Sequence, residues 1–223
     1  RVLWDFTRPH TIIGSILSVV SLHLFALTAP GVSIINLSAF MVALTWSLVC
    51  ASLVNLFVTG LNQIYDVDID KINKPYLPIP AGELSLQKYM QVIMKNLRSE
   101  IFHSAKVIVL VSLILGIVRS CVLGTLYSMP PFRLKRFPLL AAICIIVVRG
   151  TLVNLSFYAH TAAILGTEML PARSWIASSF FALFGCVIAL MKDVPDVSGD
   201  REFQVKTLSV RFGSRTVLVF DCI

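Results

Sequence analysis

The chain has 223 residues, of which 57% are hydrophobic and only 14% charged, with a formal net charge of +7. A soluble domain carries roughly 25% charged residues, so an ordinary soluble globular domain is excluded. The basic residues form no continuous stripe, which speaks against nucleic acid as a partner and for loop charges gathered on one face of a membrane.

A membrane span needs about 20 apolar residues. The pattern predicts span 1 at 11–29, span 2 at 36–61, span 4 at 107–126, span 5 at 138–158, span 6 at 174–191 and the start of a seventh near 216. Thr11–Thr28 holds no charge beyond His23, and Ile34–Leu61 and Ser174–Met191 hold none. Trp4 and Trp175 stand at segment edges, where interfacial aromatics belong. Prolines fall between the spans. The five cysteines, Cys50, Cys121, Cys144, Cys186 and Cys222, are scattered without metal-site spacing and read as small apolar residues. Both ends are expected to be cut, since the chain begins at Arg1 and stops a few residues into a fresh apolar run. No targeting peptide is visible. The expected architecture is a single all-α domain over 1–223, a polytopic transmembrane helix bundle embedded in lipid.

Segment 3, residues 85–106, is amphipathic and carries Lys95, Arg98 and Glu100 near its middle. In isolation it belongs on the interface. Topology argues for a crossing, because four crossings between 61–88 and 192–215 put both polar loops on one face. That face then collects most of the Lys and Arg, Lys71, Lys74, Arg133, Lys135, Lys192 and Arg201 among them.

Those two loops carry the chemistry. In the first, Asn62, Asp66 and Asp70 are spaced i, i+4, i+8, which on one continuous helix places them on one face. Neighbouring carboxylates at a span end repel each other, and a hard cation such as Mg²⁺, which takes one or two carboxylates and bridges to phosphate, removes that penalty. Asp68 points elsewhere. The second loop repeats the spacing in Asp196 and Asp200, with Pro195 and Gly199 arguing against an unbroken helix. Together the four aspartates are the expected catalytic metal ligands, holding Mg²⁺ around one diphosphate. A solvated acidic loop is the competing reading for either motif taken alone. Lys74, Arg133, Lys135 and Arg201 are candidates for phosphate contacts, or topology-setting loop charges. Arg149 interrupts span 5 and is a candidate for substrate binding, with Asn154 further along the same span; polar helix-to-helix contact is the alternative.

The stretches FTRPHTIIGS at 6–15, NQIYDVDID with KINKPYLPIPAGE at 62–83, GTLYSMPPFRLKRFP at 124–138, VRGTLVN at 148–154 and KDVPDVSGDREFQVKTLSVRFG at 192–213 resemble the UbiA-type intramembrane prenyltransferases, and within them the plant and algal homogentisate prenyltransferases. The resemblance covers most of the chain in order, but 88–119 matches poorly. It implies a fold of nine spans, of which about six and a half are present, around a cavity with diphosphate and Mg²⁺ at its mouth. It implies an enzyme transferring a prenyl chain, phytyl foremost, from its diphosphate to homogentisate with decarboxylation, in tocopherol or plastoquinone biosynthesis in a chloroplast membrane. Tyr127, in the family's YS-x-PP stretch, would face the allylic cation through its ring. Rival readings are solanesyl transfer, prenylation of flavonoids or coumarins, a cation-coupled transporter and a non-catalytic relative.

Segment 3 yields a prediction. Three central charges cost roughly 7–10 kcal/mol at 2.5–3.5 kcal/mol each. Replacing Lys95, Arg98 and Glu100 with Leu, Val and Ala should raise the inserted fraction, scored by protease protection in the same membranes. Full insertion of the parent chain would show that these charges line a polar part of the bundle.

Overall fold

The computed structural model describes residues 5–32, 37–83, 85, 91, 111–205 and 207–221. Segment 3 lies outside the described residues save Ser85 and Gln91, as do Trp4 and Cys222. The described residues form helices and turns with no strand. Four helices are long and apolar enough to cross a membrane, and the chain is an integral membrane protein. They are α1 (Pro9–Leu27), α2 (Leu37–Tyr65), α5 (Pro138–Ile164) and α6 (Ala172–Met191). The described part of a fifth apolar helix, α4 (Val111–Ser128), packs between α2 and α5. Short helices α3 (Val67–Asn73), α7 (Val197–Glu202) and α8 (Leu208–Phe212) follow α2 and α6, and α9 (Ser214–Asp221) takes the place of the seventh predicted span.

Each helix begins and ends for local reasons. Pro9 opens α1, where its missing N–H is no loss. The far end of α1 precedes the Pro30–Gly31 turn. There Arg173, at the start of α6, donates to the Thr28 carbonyl at 2.7 Å and the Phe25 carbonyl at 2.9 Å, and its guanidinium lies 4.1 Å from the centre of the Phe25 ring. This contact satisfies carbonyls that a helix end leaves without partners. With 29 residues, α2 is about 44 Å long at 1.5 Å per residue, well beyond the ~30 Å hydrocarbon thickness. Its last turns therefore carry Asn62 and Gln63 past the apolar zone, and Gln63 donates to the Phe6 carbonyl at 3.0 Å.

Phe6, Val19, Leu22, Cys50, Leu113, Ile117 and Phe157 form the core where α1, α2, α4 and α5 meet. The outer face of α6 is apolar too: Ile176 and Leu183 are each 72% exposed, an arrangement that suits lipid. Between Ile146 and Leu152, α5 widens into a π-helical stretch, a feature common at functional sites. Gly150 in that stretch is pressed against α6, where an added Cβ would lie 2.5 Å from the Ala182 Cα.

Gly150→Ala should therefore force α5 and α6 apart and destabilise the protein by about 1–3 kcal/mol. Gly14→Ala, whose new methyl meets nothing within 4 Å, should be neutral or slightly stabilising. Thermal unfolding of both variants in detergent checks the pair, and equal midpoints would show that α5 and α6 have room to move.

Candidate active site

The two aspartate loops meet at one end of the bundle. The first departs from a single continuous helix: the chain breaks at Asp66 (φ −117°, ψ 14°), between α2 and α3. The expectation of one continuous helix is corrected accordingly: Asn62 and Asp66 still meet, at Lys135, whereas Asp70 belongs to the separate helix α3. Two carboxylates one turn apart repel, and the break lets each find a different cation. Asp66 takes Arg133 at 3.0 Å on one oxygen and Lys135 on the other. Lys135 also donates to Asn62 Oδ1 at 2.9 Å, and Arg133 to the Tyr65 carbonyl at 3.2 Å. Arg133 sits in the left-handed backbone region (φ 38°), unusual for a non-glycine residue, on the turn that follows α4. Asp68 points away and pairs with Lys71 at 3.0 Å in solvent.

The second loop has the same form. Asp196 (φ −96°, ψ 4°) marks the break before α7, as Asp66 does before α3, and Asp200 lies in the first turn beyond it. Lys74 joins the motifs directly, pairing with Asp196 and lying 3.8 Å from Asp70. Beside it, Asn73 donates to the Asp196 carbonyl at 2.9 Å and accepts from the Gly199 N–H at 2.8 Å. A Cβ on Gly199 would lie 2.7 Å from Asn73 Oδ1, so the approach requires glycine there. Lys192 pairs with Asp193 and acts electrostatically on the Tyr127 hydroxyl.

The field at this site is strong. Burial pushes the Asp70 carboxyl up to about 6; Lys74 opposes the rise, and Asp66 and Asp196 add to it. Burial likewise pushes Asp200 up to about 7, with Asp193 and Asp196 adding and Lys192 and Lys74 opposing. At Lys135, burial outweighs the Asp66 carboxylate and lowers the ammonium. Asp196 Oδ1 is buried without a hydrogen-bond partner. Crowded carboxylates, Asp70 and Asp200 inclined to keep protons and Asp196 with an orphaned oxygen, are the donor set a hard cation fits. Among the described residues no three His, Cys, Asp or Glu form a ready-made cage. Mg²⁺ needs none, since it keeps waters and takes substrate phosphate oxygens.

Behind this site lies a cavity of about 810 Å³. Leu17, Val54, Leu113, Ile117, Phe157 and Phe181 give it apolar walls, and His10, Asn55 and Arg149 place polar groups among them. Arg149 lies in the π-helical stretch of α5.

Of the residues singled out in the sequence, Asn62, Asp66, Asp70, Lys74, Tyr127, Arg133, Lys135, Asp196 and Asp200 belong to this end of the bundle. Arg201 does not join them; it is exposed on α7. Asn154 reaches the cavity wall, but its amide group is engaged by the protein: it donates to the Arg149 carbonyl at 2.6 Å and the Gly150 carbonyl at 3.0 Å and accepts from Ser18 at 2.9 Å. It holds the π-helical stretch in shape. The sequence reading missed Arg8, Asn73, Lys192 and Asp193. All four belong to quoted stretches, which was the signal available.

The family model described as "UbiA prenyltransferase family" matches residues 15–223. Homogentisate phytyltransferase of a Synechocystis strain is 38% identical over 218 residues, 97% of this chain and 70% of that protein. Homogentisate geranylgeranyltransferase of Triticum aestivum is 40% identical over 225 residues, 97% of this chain and 53% of that protein. The chain thus spans just over half of the plant relative's length. The fold matches a UbiA homolog from Archaeoglobus fulgidus bound to GPP and Mg2+, with a TM-score of 0.72 at 20% identity, covering 99% of this chain and 72% of that one.

The raised carboxyls give a pH dependence. Between pH 4 and 7 the folded protein holds protons on Asp70 and Asp200 that the unfolded chain has released, so their contribution to stability falls as pH rises. In the presence of EDTA the thermal midpoint should therefore drop from pH 5 to pH 8 more in the parent than in the Asp70→Asn, Asp200→Asn double variant. Equal drops would show that both carboxyls ionise normally.

Proposed function

This chain belongs to the UbiA prenyltransferase family, and we propose that it transfers a prenyl chain from its diphosphate to homogentisate, with loss of the acceptor's carboxyl group. The observation that carries this reading is the Lys74 bridge between Asp70 and Asp196, which assembles two Asp-x₃-Asp motifs beside an apolar cavity. The names of the Synechocystis and wheat relatives support homogentisate as acceptor and a phytyl or geranylgeranyl chain as donor. We take phytyl as the donor and a plastid membrane as the location. Solanesyl transfer is the reading the assay must separate from it.

The reaction separates charge. The allylic C–O bond breaks with its electron pair going to pyrophosphate, a ring carbon of the acceptor forms the new C–C bond, and the ring proton leaves. The bond from the acceptor's CH2 to its carboxylate breaks with release of CO2, and the electron pair left on that carbon takes up a proton to give a methyl group. Lys135, Arg133, Lys74 and Lys192 are paired with carboxylates at rest, and on substrate binding they exchange those partners for diphosphate oxygens. Asp66, Asp70, Asp196 and Asp200 would then hold Mg²⁺, as the archaeal homolog's complex with GPP and Mg2+ suggests. When bound, Mg²⁺ neutralises the departing pyrophosphate. Tyr127, beside Lys192, supplies a π-face for the allylic cation. The apolar walls exclude water, which would otherwise capture that cation.

Full-length protein in membranes, supplied with Mg²⁺ and a panel of prenyl diphosphates and aromatic acids, with products read by mass, tests the assignment. Homogentisate and phytyl diphosphate should give the dominant product. Asp66→Asn, Asp70→Asn, Asp196→Asn and Asp200→Asn should each lower turnover by on the order of 10²-fold or more, as removing one key electrostatic group does elsewhere. Asp68→Asn should be milder, since Asp68 faces solvent. Near-normal turnover in two or more of the four variants would refute the shared site.

A further inference from the structure

The cations near the aspartates and the cations beside the cavity differ in one respect. Lys74, Lys135, Arg133 and Lys192 each pair with a carboxylate. Arg149, half-buried within an apolar helix, has no carboxylate or hydrogen-bond partner for its guanidinium among the described residues. The charge that bears on it is another cation, Arg8, which also lies within electrostatic reach of Asp70. His10 faces the same cavity and stands within electrostatic reach of both arginines and of Lys74, which makes it the point where the cavity meets the aspartate end. Arg149 lines the apolar cavity, the positive charge of Arg8 bears on it unfavourably, and a guanidinium held inside a span is costly without a counter-charge. Such a pair is incomplete without an anion.

Arg149 is also fixed from three helices. Asn154 binds its carbonyl and that of Gly150, Ser18 of α1 holds Asn154, and Ser178 of α6 donates to the Gly150 carbonyl at 2.6 Å. Gly150 is wedged against Ala182. These contacts fix the backbone from which the Arg149 side chain projects. Along α5 it stands roughly 16 Å from Pro138 at 1.5 Å per residue, whereas Lys135 and Arg133 precede that proline and meet Asp66. The diphosphate therefore already has its own set of cations at the aspartates.

We infer that Arg149, with Arg8 beside it, forms a carboxylate-binding subsite that holds the aromatic acid acceptor in the cavity, apart from the diphosphate site. The planar fork of guanidinium matches a carboxylate with two parallel hydrogen bonds. The ring attached to that carboxylate is accommodated by the apolar wall around it. The inference rests on the proposed reaction for the identity of the acid, and on the geometry alone for the charge it reads.

The test separates these two supports. Equilibrium binding of homogentisate and of its methyl ester is measured by calorimetry on full-length protein in nanodiscs, alongside binding of pyrophosphate with Mg²⁺. The parent should bind the acid about tenfold or more tighter than the ester, since hydrogen bonds to a charged group are at stake. Arg149→Met should weaken the acid to the level of the ester and leave ester and pyrophosphate binding within twofold. Arg149→Lys, which keeps the charge without the fork, should recover part of the preference, and Arg8→Gln should lose part of it. If Arg149→Met does not fold, the Lys and Arg8 variants decide. The inference is overturned if the parent shows no preference for the acid, if the preference survives in Arg149→Met, or if pyrophosphate binding falls in parallel with it. Acid preference that depends on Arg149 without any prenyl transfer would sink the proposed reaction and leave the subsite standing.

Discussion

Four carboxylates cannot gather at the end of an apolar bundle unless cations stand between them, and that requirement organises the active end of this protein. At close range in a medium of low dielectric the repulsion between like charges far exceeds its value in water. Lys74 meets it between the motifs, reaching Asp196 from one loop and Asp70 from the other. Lys135 and Arg133 meet it at Asp66, and Lys192 at Asp193. Residues more than 120 positions apart in sequence are held together by this one lysine and the adjacent Asn73. The balance is incomplete at Asp70 and Asp200, where burial outweighs the available cations. That shortfall leaves the site with affinity for further positive charge.

The breaks in the helices serve the same end. Had α2 run on through Asp66, that carboxylate would have faced Asp70 along one helix edge. Breaking at Asp66, and again at Asp196, starts two short helices, α3 and α7, that lie against each other through Asn73 and Gly199. Polar backbone at the end of a span is tolerated where it lines a polar site. Here it brings Lys74 of the first loop onto Asp196 of the second.

Much of this was legible in the sequence, because lipid imposes a simple rule on composition. Spans 1, 2, 5 and 6, expected at 11–29, 36–61, 138–158 and 174–191, appear as Pro9–Leu27, Leu37–Tyr65, Pro138–Ile164 and Ala172–Met191. The largest errors are at the polar ends of α2 and α5. Counting apolar residues stops at Asn62, whereas the helix continues because Gln63 and Asn62 find partners there. Spacing also singled out aspartates that the structure brings to one end of the bundle, since carboxylate pairs at span ends have few structural uses. What the sequence could not carry was partnership. Nothing in KINKP distinguishes Lys74, which bridges both motifs, from Lys71, which pairs with Asp68 in solvent. Nor does the composition of span 5 reveal its π-helical stretch, or that the polar groups of Asn154 are used up in holding it.

The π-helical stretch connects these two levels. A regular α-helix leaves its interior carbonyls satisfied by its own amides, so a neighbouring side chain has little to grip. Widening the helix between Ile146 and Leu152 makes the carbonyls of Arg149 and Gly150 available to Asn154 and Ser178. Through Asn154, Ser18 ties the stretch to α1, and Gly150 allows α6 to close on it. The intramembrane arginine therefore owes its fixed position to neutral groups of small size, which give the acidic end of the site no competing charge. Carboxylates matched by lysines hold one end of the cavity, and a guanidinium anchored by serine, asparagine and glycine stands apart from them. For the proposed reaction, which must hold a diphosphate and an organic acid at once, this difference in partners would let the two anions be drawn to different cations.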